Sequence, residues 1–454
     1  MTERIPRTND MREVDRWRMS VGEGAGEGGC MKNVTIQSTP VLPTNPSATN
    51  TANLKTIIAN TSSGEALFFP AGEYLFAKDG DNPYAILINK NISFFGPGIG
   101  AKLKAMGTNF DLIRVINLTQ IIISNLCLTR DTLVAYSSSF TNYFAGLCLS
   151  GCNTSVFTNL CVSNHGFGIR LLNTDNSTVN SGNSFHNIAG INNRVGIFFT
   201  NTTSHQPDNF FHTCSMVGDE TYTTDGTGYN AGLYIEGVYA GDIWVTNCVF
   251  LRVERGVSIH FTGSSENYRY NVNLVNVWID VCKNYGFYFR NMHLIRLNNC
   301  STVGNGVGIH FQNCSVVGIT QTYIGVYQSL TSAIDIYSGG LNELSHAYTI
   351  SNNHIAGNSS YSNAIRLYGV HLSSIIGNNI VNTINGIRLF QDIMGSNSIC
   401  YKNTISANSI RNSQTGIHLT STTNLNVVTA NVLYGQSIPI IDEGTQNIIE
   451  ANSI

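Results

Sequence analysis

A short alternating pattern recurs along the chain: glycine, an apolar residue, a polar one, an apolar one, a polar one. It reads GIRLLN at 168, GLYIEG at 232, GFYFRN at 286, GIHFQN at 308, GIRLFQ at 386 and GIHLTS at 416. Apolar residues at every second position mark a β-strand with one face buried. Aligned on the glycine, or on an alanine in its place, the pattern falls at positions 146, 168, 196, 232, 256, 286, 308, 333, 364, 386 and 416. The recurring minimum interval is 22 residues, and longer ones are 22 plus an insertion. An asparagine precedes most of these positions by eight to eleven residues: Asn159, Asn247, Asn276, Asn299, Asn353, Asn378 and Asn408. Self-similarity at a fixed period is the mark of a solenoid. Short strands punctuated by Asn and Gly, which tolerate left-handed backbone, predict one coil of a parallel β-helix per repeat. The glycine is expected to turn each corner. Residues after it, such as Ile309 and Phe311, are expected to point inward and stack from coil to coil. A leucine-rich horseshoe would need a Leu-x-x-Leu-x-Leu frame and a convex segment, and neither is found in the sequence.

The alternation governs from about residue 111 to 454. Before it, residues 31–110 hold TANLKTIIAN at 51–60, whose helical spacing predicts one short helix, then ALFFPAGEYLF and ISFFGPGIGAKL. The GPGIG run does not open a helix, so it reads as a tight turn and not as a phosphate-cradling loop. Residues 1–30 differ again: they are rich in Asp, Glu, Lys and Arg and end in VGEGAGEGGC. That composition predicts a mobile or partner-docked tail.

Composition narrows the function. Only 12% of residues are charged, against a usual ~25%, so polarity comes mostly from Asn, Ser and Thr. A net charge of -3 offers no basic field for nucleic acid. The first twenty residues lack the apolar region of a secretory signal, and no run approaches the ~18 apolar residues of a membrane span. The eleven cysteines form no CxxC pair and read as small buried hydrophobes in a reducing compartment. No metal motif occurs, and no cofactor is expected.

The order of helix, Pro70-Ala-Gly72-Glu-Tyr74 strand, Gly96-Pro-Gly98 turn and Asn/Gly coils resembles the pectate-lyase superfamily, and within it bacteriophage tailspikes and tail fibres. The resemblance covers roughly residues 50–454. It implies an all-β fold: a single-stranded, right-handed parallel β-helix capped by a short N-terminal helix. An Asp-rich segment often found before the helix in that family is replaced here by TPVLPTNPSATNTAN. The resemblance also implies a bacterial surface polysaccharide as partner, a homotrimer, and a virion location with attachment through residues 1–30.

The variable half of the pattern carries the candidate chemistry. Residues two and four places after each glycine share one outward face. From residue 234 to 388 they concentrate aromatic, carboxylate, His and Arg side chains, which suits a long polyhydroxylated, acidic chain. Tyr234, Tyr288, Arg290, His310, Tyr337, Arg366 and Tyr368 are the candidate substrate-binding residues, through ring stacking and charged hydrogen bonds. Glu236, His260, Asp280 and Asp335 are the candidate catalytic residues. Hydrolysis needs two carboxylates within ~10 Å. Glu236 and Asp335 are four coils apart, about 19 Å at ~4.8 Å per coil, so they are not one pair. A partner for Glu236 has to come from Asp219, Glu220 or Asp225 in the long insertion, or from Asp242 or Glu254. Asp280 lies one strand away, on a strand that can belong to another face. Elimination is the alternative, with His260 or His310 beside Arg290 as base and cation. A third possibility is a spike that recognises a glycan without cutting it.

Overall fold

Every strand pairing runs parallel, coil on coil, and the pairings sort into three stacks. The computed structural model describes residues 31–134, 143–172, 179–201, 207–218, 230–237, 242–261, 271–304, 306–326, 332–338, 345–358, 363–391 and 399–454. The charged segment 1–30 and the insertion residues Asp219, Glu220 and Asp225 lie outside them. Sheet 1 runs from Tyr84–Ile88 through Asp111–Ile116 and Ala231–Gly237 to Ile438–Asp442. Sheet 2 runs from Met31–Asn33 through Ala66–Phe68 to Ile448–Glu450, and sheet 3 from Gly72–Phe76 through Ala101–Ala105 to Val432–Tyr434. The fold is a three-sided parallel β-helix. The helix, Ser47–Asn60, closes its first coils: Leu54, Ile57 and Ile58 are buried, and Asn50 and Thr51 hydrogen-bond to the Leu75 and Ala77 carbonyls.

The inward residues form one continuous core. Equivalent positions stack, as in Phe157–Phe185–Phe211, with ring centroids 5.0 and 4.7 Å apart. The corners, however, are not built as expected. Between sheets 2 and 3 a single left-handed residue makes each turn: Asn125, Asn159, Asn187, Asn247, Asn276 and Asn299 all have φ near 50–55°. The repeated glycine does not turn a corner. Gly232 and Gly256 have no positive φ; a Cβ there would collide with Phe250 or Ile279 and with the next coil's carbonyl. The glycine sits where the alternation slips, so that it and the residue after it both face inward. Close approach is therefore what this position demands.

The asparagines divide into two kinds. Asn159, Asn247, Asn276 and Asn299 are the left-handed corner residues. Asn353, Asn378 and Asn408 lie one place further along, buried, and continue through Asn431 to Asn452 as a ladder. From Asn378 onward, each Oδ1 accepts from the backbone N–H and Nδ2 of the preceding coil's asparagine, while Asn353 Oδ1 accepts from the Thr322 N–H. Each asparagine's own Nδ2 also reaches a carbonyl, for example Asn408 to Ile375 at 2.9 Å. In earlier coils the same position holds Cys214 and Cys248, with the Cys214 N–H donating to Cys248 Sγ. None of the ten described cysteines is in a disulfide, and nine of them are buried.

Two predictions follow from this packing. Asn408→Ala should cost about 2 kcal/mol or more in urea unfolding, because it orphans buried donors on the neighbouring coil. A corner substitution such as Asn276→Gly, which keeps the left-handed backbone available, should cost less than half of that. The second concerns fully buried His165, whose Nδ1 accepts from Arg130 Nε at 3.2 Å. Burial, and then the Arg130 charge, hold its pKa well below 6.5, so it stays neutral in the fold. The unfolded chain takes up that proton below about pH 6.5 and the folded one does not, so stability falls as pH drops. His165→Gln should flatten the dependence of the unfolding midpoint between pH 7 and 5; an unchanged slope would exclude His165 as its source.

Candidate functional site

The pairing register of sheet 1 decides which side chains meet. One outward column reads Arg114, Cys148, Arg170, Phe198, Tyr234, Ser258, Tyr288, His310, Asp335, Arg366, Arg388 and His418. Beside it runs a second, with Glu236, His260, Arg290, Gln312, Tyr337, Tyr368 and Phe390 in consecutive coils. The internal stretches outside the described residues each join the chain next to a strand of this sheet, at one of its two edges.

The two columns change character partway along. In the earlier coils the outer face carries a covered apolar cluster: Val134, Tyr143, Phe167, Phe198 and Tyr234 pack together outside the main core. Tyr234 is only 4% exposed, its ring between Phe198 and His260. It therefore offers a hydroxyl and no open ring face. That hydroxyl lies 3.3 Å from Glu236 Oε2. From Glu236 onward the face is polar.

Two acidic centres stand on this polar part. In the first, His260 Nε2 lies 3.2 Å from Glu236 Oε1, and Glu236 is partly open to solvent. Hydrogen bonding from His260 outweighs burial and holds the Glu236 carboxyl below its ordinary range. Arg290 is the next residue in that column and is exposed. An ionised glutamate beside an imidazole and a phenol suits a nucleophile or base more than a general acid. Among the described residues no second carboxylate contacts Glu236. Glu254 is fully buried and accepts from Asn284 Nδ2 at 2.6 Å, a tie between coils. Asp280 stands on Trp278–Asp280, a strand of sheet 3, so the register does not bring it to the Glu236 face.

In the second centre, Asp335 is buried and gripped on both oxygens by Arg366, Nε at 2.9 Å and Nη2 at 2.8 Å. His310 Nδ1 lies 3.4 Å from the same carboxylate. Burial alone would raise the Asp335 pKa; His310 and Arg366 together pull it below its ordinary value. This carboxylate is saturated by its neighbours and serves their placement.

Around it the rings line up. His310 stacks on Tyr288 at 5.3 Å and 5°. Tyr368 stacks on Phe390 at 4.9 Å and meets Tyr337 edge-on at 5.6 Å. Tyr285 and Arg255, absent from the outward columns read from the sequence, join this surface: Arg255 lies over the Tyr288 and Tyr285 rings at 4.5 and 5.3 Å. They were missed because the alternation slips at the glycine, which returns the preceding residue to the outer face. Phe167, Val195 and Ala231, each directly before a repeat glycine, pack there too. The signal was present in that column of the repeat.

A separate hollow of about 240 Å³ lies between the helix and the first coils, lined by Lys55, Asp79, Tyr84 and Lys90 among others. It is remote from sheet 1's polar part, which is an open strip.

No protein-family model and no curated protein sequence matches the chain. Solved structures do. Tailspike protein 3 of bacteriophage CBA120 aligns at TM-score 0.54 and 11% identity, covering 96% of this chain and 68% of that one. A tailspike protein variant of the E. coli bacteriophage HK620, in complex with a pentasaccharide, aligns at 0.54 and 12%, covering 96% and 84%. Another, with a hexasaccharide, aligns at 0.53 and 10%, with the same coverages. The chain is thus a right-handed parallel β-helix of the architecture those tailspikes have.

The two centres should respond differently to neutralisation. Asp335→Asn strands the Arg366 charge and should cost about 3 kcal/mol in urea unfolding. Glu236→Gln, partly exposed, should cost less than about 1 kcal/mol. Equal costs would contradict the assignment of one as structural and the other as available.

Proposed function

We propose that the protein is a spike-type glycan-binding β-helix that engages a bacterial surface polysaccharide along sheet 1 and cleaves it at the Glu236 centre. The observation that carries this reading is the register-matched strip from Glu236 to Phe390. Rings and charged groups recur there at one coil per step, in a fold shared with tailspikes solved with bound oligosaccharides. A polymer laid along the axis meets a new pair of side chains every ~4.8 Å.

The proposed roles follow the geometry. Glu236 acts as base or nucleophile, kept ionised by His260. Tyr234 holds the other Glu236 oxygen, and Arg290 faces the developing negative charge. Tyr288, His310, Tyr337 and Tyr368 supply ring faces and hydrogen bonds, and Asp335 holds Arg366 in place. Recognition without cleavage is the second reading. It is favoured by one observation: Glu236 contacts no carboxylate among the described residues, whereas hydrolysis needs a pair. The exposed Phe210 on sheet 2 and Trp278 on sheet 3, with Val281 at the turn after it, are the surface a homotrimer would bury. The charged segment 1–30 fits the role of virion attachment; residues 31–110 form the cap and first coils, and 111–454 the β-helix proper.

The test is incubation with a panel of bacterial surface polysaccharides, following polymer size and ultraviolet absorbance. Shortening with new absorbance identifies elimination at His260 and Arg290, and shortening without it identifies hydrolysis. Glu236→Gln should abolish shortening by at least a hundredfold while binding persists. Full activity in that variant removes Glu236 from the mechanism, and binding without shortening by the wild type leaves the recognition reading.

A further inference from the structure

The polar part of sheet 1 holds more cations than anions to match them. Asp335 neutralises Arg366, Glu236 meets His260, and Glu443 lies 3.7 Å from His418. Arg255, Arg290 and Arg388 have no carboxylate within ion-pairing distance among the described residues. This surplus occurs on a chain whose net charge is -3.

Two of these arginines are also held in place. The Arg388 guanidinium carbon sits 3.9 Å from the Phe390 ring centroid, and its Nε is buried with no hydrogen-bond partner. Burial, and then the neighbouring Arg366 charge, outweigh Tyr368 and the more distant Glu443 and push its pKa down. Arg255 lies on the Tyr288 and Tyr285 rings; its Nη1 reaches Ser258 Oγ at 3.4 Å, and its Nε is buried without a partner. Stacking on rings fixes a guanidinium plane and lowers the entropy lost on gripping a planar anion. An unmatched, oriented guanidinium is a receptor for a carboxylate.

Their spacing carries information. From the Arg255 coil, the register passes through Tyr288, His310, Asp335 and Arg366 to Arg388, which is five steps. At ~4.8 Å per step that is about 24 Å. Arg290 stands one step along in the second column, and Arg255, whose own register partner is Tyr285, reaches toward that column across the Tyr288 ring. Between the two ends, Arg366 is silenced by Asp335.

Building on the glycan reading of this surface, we propose that sheet 1 has two anion subsites, at Arg255/Arg290 and at Arg388. They bind carboxylated sugars that recur along the polymer about every four to five units, with neutral sugars on the rings between. A sugar ring with its linkage is about as long as one coil step, so the polymer's repeat matches the spacing of the unmatched arginines.

The experiment measures binding of the full chain to immobilised bacterial polysaccharides. These carry uronate, sialate or pyruvate groups at known intervals, and neutral polymers complete the panel. Each acidic polymer that binds is also tested after chemical reduction of its carboxyls. The inference predicts binding to acidic polymers with one carboxylate per four- to five-sugar repeat, lost on reduction. Arg388→Gln should weaken it roughly tenfold or more. Arg290→Gln, an exposed position that keeps the fold intact, should weaken it too, whereas Arg411→Gln on sheet 3 should not. Equal binding to a polymer and its carboxyl-reduced form, or insensitivity to both variants, would overturn the anion subsites and leave the glycan reading standing. Failure to bind any polymer, acidic or neutral, would remove the glycan reading and this inference with it.

Discussion

In-register stacking of one coil on the next is the constraint from which the rest derives. Each strand in the three sheets pairs in parallel with its counterpart one coil on, so every side chain faces its own equivalent. A residue type is tolerated at a position only if it tolerates a copy, or a complement, one coil step away. Inside, that selects stacked rings and the asparagine ladder from Asn353 to Asn452, in which each amide satisfies the next. Outside, it brings Glu236 to His260 and Asp335 to both His310 and Arg366 although 24 or more residues separate each pair in sequence.

The same constraint explains why side-chain character varies most along sheet 1. Sheet 3 turns from sheet 2 through a single left-handed residue and leaves no room for variation there. The insertions fall at the edges of sheet 1. Its strand positions can therefore change character from coil to coil, from the covered apolar cluster around Phe198 to the polar strip after Glu236. Along that strip, charge is balanced in some coils and left unmatched in others. On the proposed glycan reading, selectivity comes from that unevenness.

Much of this was legible in the sequence because a period of two within a period of 22 has few structural solutions. The outward columns could be written down from the repeat alone, and the strand register places the same residues in consecutive coils. Four features were hidden, each for a physical reason. The repeat glycine looked like a corner residue, but its role is close approach to a core side chain of another sheet, which no local pattern reveals. Corner and ladder asparagines looked alike because they differ by one place, and only backbone conformation and burial separate them. Tyr234 looked like an open ring, and its cover comes from Phe198 on the neighbouring coil and from the Val134–Tyr143 cluster beyond it. Asp335 read as a candidate catalytic residue for a related reason: its saturation by Arg366 depends on which coil comes next.

The most direct test of the account is a crystal structure of the protein soaked with oligosaccharides released from a surface polysaccharide it binds. The account predicts sugar density running along the outer face of sheet 1, between Glu236 and Arg388, with rings against Tyr288 and Tyr368. Density lying against sheet 2 or sheet 3 instead, with the sheet 1 strip empty, would contradict it.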